Sequence, residues 1–246
     1  MDCAQLNRYG LLAVTGADAR DFLHAQLTND IANLPPDRAA LAGWCTAKGR
    51  LLASFLVIPS REGFLLQAAR DLAPIVTKRL SMFILRSKVK IADESSAWAQ
   101  YGIWDADLGA GLGVDGVAWD GDVVTVRVGE RRFLKIGKGL AQSCGQAEER
   151  WTLQEIRAGR PLISAATQDR FVPQMVNFEA LGAINFQKGC YPGQEIVARA
   201  QYRGEVKRRM TRVELPKGVE LKPGAEFGGG VIVDSAAGEA LAVMPV

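Results

Sequence analysis

The chain has 246 residues, 48% of them hydrophobic and 23% charged, a net charge of +3 and one histidine. That is enough chain for one large soluble domain or two to three small ones. No run of about 18 uncharged apolar residues occurs, so no membrane span is expected, and the start Met1-Asp2-Cys3-Ala4-Gln5-Leu6 lacks the basic head and apolar core of a secretion signal.

Leu11–Val14 reads as a short buried strand. Thr15-Gly16-Ala17-Asp18 has the form of a capping box, and Ala19, Phe22, Leu23 and Leu27 then share one face of a helix of about ten residues. Pro35-Pro36-Asp37 breaks the chain. Strands are predicted over 39–46 and 50–59, joined by the turn Ala47-Lys48-Gly49, and a third over 64–68 after Ser60-Arg61-Glu62-Gly63. Asp71 is placed to cap a helix with Pro74 in its first turn, its apolar stripe being Leu72, Ile75, Val76, Leu80 and Phe83. Strands at 89–92 and 98–104 complete a mixed α+β module over residues 1–105.

Residues 106–140 change character: glycines punctuate short β-like runs such as Val123–Val128. Glu148–Ala158 is a predicted helix, stopped by Gly159 and Pro161. Residues 106–205 are read as a central α+β module. Over 206–246 polar and apolar residues alternate between Pro216, Pro223 and Gly228-Gly229-Gly230, which predicts a small antiparallel β module.

Cysteines stand at 3, 45, 144 and 190. They are too sparse for a disulfide framework, which points to a reducing cytoplasm. No Cys-x-x-Cys and no His-x-x-x-His exists, so no tightly bound metal or cluster is expected on the monomer. A cysteine–histidine pair would have to use His24, which reads more simply as a partly exposed helix residue.

The chemistry-bearing stretch is Ile184-Asn185-Phe186-Gln187-Lys188-Gly189-Cys190-Tyr191-Pro192-Gly193-Gln194-Glu195. Pro192-Gly193 fits the centre of a type II turn, and the residue before proline is pushed toward an extended shape. Gln194–Ala200 can start a helix with Glu195 in its first turn. Cys190 would then lie just ahead of a helix N-terminus and close to Lys188, both of which favour a thiolate; the alternative is a tight turn whose cysteine only packs. Seven basic residues run from Lys188 to Arg212, with Arg199, Arg203, Lys207, Arg208 and Arg209 between them, and only Glu195 and Glu205 oppose them. Such a local excess suits an anionic partner such as a carboxylate, a phosphate or RNA, or forms a solvated basic strand. Aromatic interleaving is thin, so an extended RNA platform is not favoured.

Lys188-Gly189-Cys190-Tyr191-Pro192-Gly193-Gln194-Glu195 resembles the K-G-C-[FY]-x-G-Q-E signature of the YgfZ-type folate-binding proteins, themselves similar to the aminomethyltransferase (T-protein) of the glycine cleavage system. Phe171–Asn177, Val197–Gly204 with Lys207-Arg208, Phe22–Asp30 and Lys48-Gly49-Arg50 extend the likeness over most of the chain. The resemblance implies an α+β, multi-module clover-leaf of mixed sheets and helices around a central channel, ending in a small C-terminal antiparallel β-barrel. It implies a tetrahydrofolate-binding factor for assembly or repair of iron–sulfur enzymes, a tRNA-thiolating one among them, with those enzymes or cluster carriers as partners. Cys190 and Lys188 are the implied reactive residues. Tyr191, Gln194, Glu195, Gln174, Asn177, Arg199, Arg203, Lys207 and Arg208 are the implied ligand contacts.

Two positions depart from the T-proteins. Their essential Asp lies on the strand after the Gly-rich turn, and that strand here is Arg50-Leu51-Leu52-Ala53-Ser54-Phe55, with no carboxylate. Their pterin-binding Glu has Arg157 in its place, leaving Glu155 or Glu179 as substitutes. A conventional enzyme is therefore not expected. A folate-dependent one-carbon transferase and a non-catalytic RNA- or protein-docking module are the competing readings; direct nucleic-acid binding is not expected, and a monomer is.

Overall fold

The computed structural model describes residues 1–108 and 111–246. In chain order it runs β1 (Asp2–Gln5), β2 (Tyr9–Thr15), α1 (Ala19–Gln26), β3 (Ala40–Cys45), β4 (Leu51–Ser60), β5 (Gly63–Ala69), α2 (Ala73–Ser81), β6 (Lys90–Asp93) and β7 (Trp98–Trp104). It continues with β8 (Val117–Asp120), β9 (Val123–Gly129), β10 (Arg132–Lys138) and α3 (Glu148–Arg157). A 3-10 helix (Pro173–Val176) precedes α4 (Gln194–Tyr202), and β11 (Arg208–Glu214), β12 (Glu226–Phe227), β13 (Gly230–Ala236) and β14 (Glu239–Pro245) close the chain. The fold is mixed α+β, dominated by sheets, with four α-helices among the described residues.

The contacts divide the chain into two compact units, Met1–Phe22, Asn33–Ala40 and Leu56–Trp151 in one, Leu23–Ala32, Leu41–Phe55 and Thr152–Val246 in the other. The first holds the sheet β1-β7-β10-β9-β8. Its antiparallel registers align Cys3 with Ile103 and Ile103 with Phe133. Because side chains alternate across a strand, all three fall on one face, where they form a buried cluster with Ala106. A second sheet has the order β3-β4-β5-β2-β6. Every residue of β4 from Leu51 to Pro59 is buried. A strand covered on both faces reads as a continuous apolar run, and each large apolar side chain so buried contributes about 1.5–3 kcal/mol.

The second unit ends in the four-stranded sheet β11-β14-β13-β12, whose pairings are all antiparallel. Ile232, Ala240 and Ala242 form its core, packed against Val213, Leu221 and Phe227. The C-terminal β module is thus present, as a sheet with β11 and β12 at its margins.

Several local expectations are corrected. Thr15 is the last residue of β2 and pairs with Gly63 and Lys90. Asp18 takes the first helical bond of α1 on its carbonyl, from Phe22 N–H, while its carboxylate accepts Lys88 N–H at 2.6 Å. The capping box therefore gives way to a tie between α1 and the segment before β6. Leu72, not Asp71, occupies the N-cap of α2, with no side-chain cap bond. The buried face of α2 is Ala73, Val76 and Leu80; Ile75 and Phe83 are 48% and 46% exposed. Finally, Cys3 and Cys144 form a disulfide 141 residues apart in sequence. Their separation in the chain concealed it, because the register that brings Cys3 beside Ile103 is a tertiary fact.

Candidate functional site

The motif strap is anchored before it reaches Cys190. Thr28, fully buried, donates its hydroxyl to Ala183 O at 2.6 Å and accepts Gly43 N–H at 2.8 Å. Asn185 N–H then donates to Thr28 O at 2.9 Å, and Asn185 Oδ1 accepts the N–H groups of Gln187 (2.8 Å) and Lys188 (3.0 Å). This is an Asx-type turn, and it delivers Lys188 inward.

Lys188 is buried. Its ammonium donates to His24 O and, at 2.8 Å, to Leu27 O, the free carbonyls at the end of α1. A cation there satisfies orphan carbonyls and complements the helix dipole. The ammonium also lies 4.8 Å from the Tyr191 ring centroid. Burial lowers the Lys188 pKa to about 8, opposed by the charges of Asp30 and Cys190. Tyr191 is buried too, and burial pushes its hydroxyl well above the usual tyrosine value, with Cys45 adding to the effect.

The turn forms as its residues dictate. Gly193 adopts φ 81° and ψ 2°, and Gln194 N–H donates to Tyr191 O at 3.2 Å, the geometry of a type II turn. A side chain at Gly193 would meet Thr46 O at 2.4 Å and Gly49 Cα at 2.7 Å, so the turn is seated directly on the loop between β3 and β4. α4 follows, with Val197 buried. Cys190 is free and exposed, three residues ahead of the Gly193 cap. Cys45 is the other free thiol; it is buried, and burial pushes its pKa up to about 12. With Cys3 and Cys144 bonded, Cys190 is the accessible thiol.

The remaining candidate residues separate into two groups. Gln174 and Asn177 brace the site. Gln174, fully buried, donates to Val197 O at 2.7 Å, and Asn177 donates to Met210 O at 2.8 Å. Gln194 reaches back to Lys188 O at 3.4 Å. Glu195, Arg199, Arg203, Lys207 and Arg208 are exposed. Glu195 and Arg199 pair with each other one helical turn apart, at 2.9 Å. Among the described residues Arg203, Lys207 and Arg208 form no ion pair, whereas Arg209 turns back onto Glu179 and Asn177.

The positions that depart from the T-proteins are also placed. Ser54 is buried on β4 and accepts Ile163 N–H at 2.9 Å. Arg157 pairs with Glu239 at 2.6 Å, and Glu155 pairs with Arg160 at 3.3 Å. Glu179 gives one oxygen to Arg209 and leaves Oε2 buried with no hydrogen-bond partner among the described residues.

Sequence reasoning gave too little weight to His24, Thr28 and Asp30, all of which the fold brings to the motif. His24 Nδ1 lies 3.2 Å from Asp30 Oδ1 and accepts Ala32 N–H at 3.2 Å. The signal available was their place within the matching stretch Phe22–Asp30, which carries no spatial information alone. Among the described residues no group of three or more His, Cys, Asp or Glu could hold a metal ion, and no helix is long and apolar enough to cross a membrane.

No family model matches the chain. Its fold is that of an aminomethyltransferase: the crystal structure of the glycine cleavage system T protein from Bartonella henselae superposes with a TM-score of 0.78 at 17% identity, over 99% of this chain and 78% of that one. Among sequence relatives, an uncharacterised Haemophilus influenzae protein is 33% identical over 225 residues, 90% of this chain and 76% of the relative. Two proteins named tRNA-modifying protein YgfZ, from Serratia proteamaculans and Escherichia coli, are 32% identical over 85% and 83% of this chain and 69% of their own lengths. The chain belongs to this YgfZ family.

Proposed function

We propose that this protein is a tetrahydrofolate-binding accessory factor for the assembly or repair of iron–sulfur enzymes, tRNA-modifying ones included, with Cys190 as its working group. The observation that carries the reading is the division of the motif: Lys188 and Tyr191 are held inside, and Cys190 is presented outside as the accessible thiol. The T-protein fold supports a folate ligand, and the clover-leaf with its channel and the three modules 1–105, 106–205 and 206–246 belong to the same reading.

The chain's own groups fit a folate. Glu179 Oε2 is an unpartnered acceptor suited to the amino and ring N–H donors of a pterin. Arg203, Lys207 and Arg208 are exposed cations suited to glutamate carboxylates. When bound, tetrahydrofolate supplies a reduced pterin that can carry a one-carbon unit. Aminomethyl transfer is the weaker reading. The strand that should bear its carboxylate carries none, and Ser54 is committed to Ile163 N–H. No comparable observation favours a docking module.

Complementation of a deletion strain tests the proposal. Wild-type protein should restore the activity of iron–sulfur enzymes and Cys190→Ser should not. Full restoration by Cys190→Ser overturns it.

A further inference from the structure

One stretch of the first unit turns apolar and cationic side chains outward together. From Leu72 to Ala92 the chain has five cations, Lys78, Arg79, Arg86, Lys88 and Lys90, and no Asp or Glu. All five are exposed. Among them stand Met82 and Leu85, 72% and 88% exposed, with the half-exposed Ile75 and Phe83. Elsewhere among the described residues large apolar side chains are exposed singly along the chain, which is ordinary; a cluster marks a contact surface. Ile75, Arg79 and Met82 follow at the spacing that puts them on one face of a helix. The segment is held in shape from within. Met82, Phe83 and Ile84 N–H donate to the carbonyls three residues back at 3.0–3.3 Å, which winds the end of α2 tight. Thr77 and Ser81 donate their hydroxyls to Ala73 O and Thr77 O, both at 2.8 Å. The neutral polar groups of α2 thus bond to its own backbone, and what it offers a partner is apolar and cationic.

We propose that this surface docks the acidic face of a partner protein, an iron–sulfur enzyme or cluster carrier, with Met82 and Leu85 entering an apolar centre and the five cations meeting carboxylates around it. An apolar centre inside a charged rim is the anatomy of a protein–protein contact, and charges of one sign select a partner of the other. A second copy of this chain is disfavoured, since a two-fold pairing sets five cations against five. RNA is disfavoured because Phe83 is the one aromatic residue of the stretch that could stack on a base. A lipid surface is disfavoured because α2 spans nine residues and turns its apolar stripe, Ala73, Val76 and Leu80, into the core. The proposal rests on the reading of the protein as a factor acting on iron–sulfur enzymes and names the surface that meets them.

Surface variants in the deletion strain, compared at matched protein level, are the test. Arg86→Glu with Lys88→Glu reverses the charge and leaves the apolar residues; Met82→Ser with Leu85→Ser removes the apolar contact and leaves the charge. Each pair is expected to lower the restored iron–sulfur enzyme activity by about fivefold or more, the effect of losing a few good interface contacts. The urea midpoint of each should stay at the wild-type value, which separates a lost docking surface from a misfolded chain. Where one pair lowers the midpoint, the other decides. Activity within about twofold of wild type in a stably folded pair overturns the proposal. So does sedimentation of wild-type protein with vesicles of phosphatidylglycerol and phosphatidylcholine but not with phosphatidylcholine alone, which reassigns the surface to an anionic membrane. Failure here is distinct from failure of the functional reading: surface variants that complement fully, beside a Cys190→Ser protein that does not, sink the docking surface and leave that reading standing.

Discussion

The two glycines of the motif should behave oppositely when replaced by alanine. At Gly193 φ is 81°, a conformation that costs an L-residue about 1–2 kcal/mol. The new Cβ would also sit 2.4 Å from Thr46 O and 2.7–2.8 Å from Gly49 Cα and N. These are backbone atoms, and Thr46 O already accepts Gly49 N–H at 2.9 Å. Moving them aside is an overpacking cost of about 1–3 kcal/mol, so Gly193→Ala should destabilise the fold by about 2–5 kcal/mol. That is a large part of the 5–15 kcal/mol that holds a typical domain together. Gly189→Ala meets only the His24 ring edge at 3.7 Å, ordinary contact, and should fall within about 0.5 kcal/mol of wild type. Urea unfolding of the three proteins, followed by tryptophan fluorescence, reads both numbers. A Gly193→Ala protein as stable as wild type would mean that the motif turn does not rest on the loop between β3 and β4.

Three further outcomes are expected. Burial raises the Cys45 pKa from 9.0 to about 12. The folded chain then holds this proton more tightly, so the stability it brings is complete below pH 9 and is lost as the pH climbs toward 12, by at most about 1.4 kcal/mol per pH unit. The stability gap between wild type and Cys45→Ala should therefore narrow between pH 9 and 10.5; a constant gap in urea titrations refutes this. Ser54→Ala strips the buried Ile163 N–H of its acceptor and should cost about 1–3 kcal/mol in thermal unfolding, an unchanged midpoint counting against that bond. Polyglutamylated folate should bind more tightly than the monoglutamate, with a gap that shrinks in salt. Arg203→Ala or Arg208→Ala should weaken the polyglutamate by about 1–3 kcal/mol and leave a tail-less pterin alone; equal calorimetric affinities sink the idea.

The strands and helices were legible wherever a period was clean. Leu51–Pro59 announces a doubly covered strand by an unbroken apolar run, and Trp98–Trp104 and Val123–Val128 by β-branched and aromatic content. Helix ends were less legible, because capping is decided by whatever else competes for the side chain. Asp18 looks like a partner for Thr15, yet its carboxylate is taken by Lys88 N–H from a segment 70 residues away. The stripe of α2 was overdrawn for a similar reason: Ile75 and Phe83 satisfy the helical spacing, but no element of the fold covers them fully. The Cys3–Cys144 pair is wholly a product of strand register and had no local mark.

At the site, residue types announced chemistry but not direction. Lys188 and Cys190 are two apart, and in a compact turn such neighbours need not face the same way. Asn185 fixes the outcome by taking both Gln187 and Lys188 N–H, which sends the lysine stem under Tyr191 to the end of α1. An ammonium bound to two carbonyls is a clamp between α1 and the motif, and the charge of Cys190 raises the Lys188 pKa against the burial that lowers it. The same clamp positions His24, whose carbonyl it grips. A lysine that reads in the sequence as a direct activator of Cys190 therefore acts as a support as well, and any substitution of Lys188 will mix loss of charge with loss of the α1 anchor.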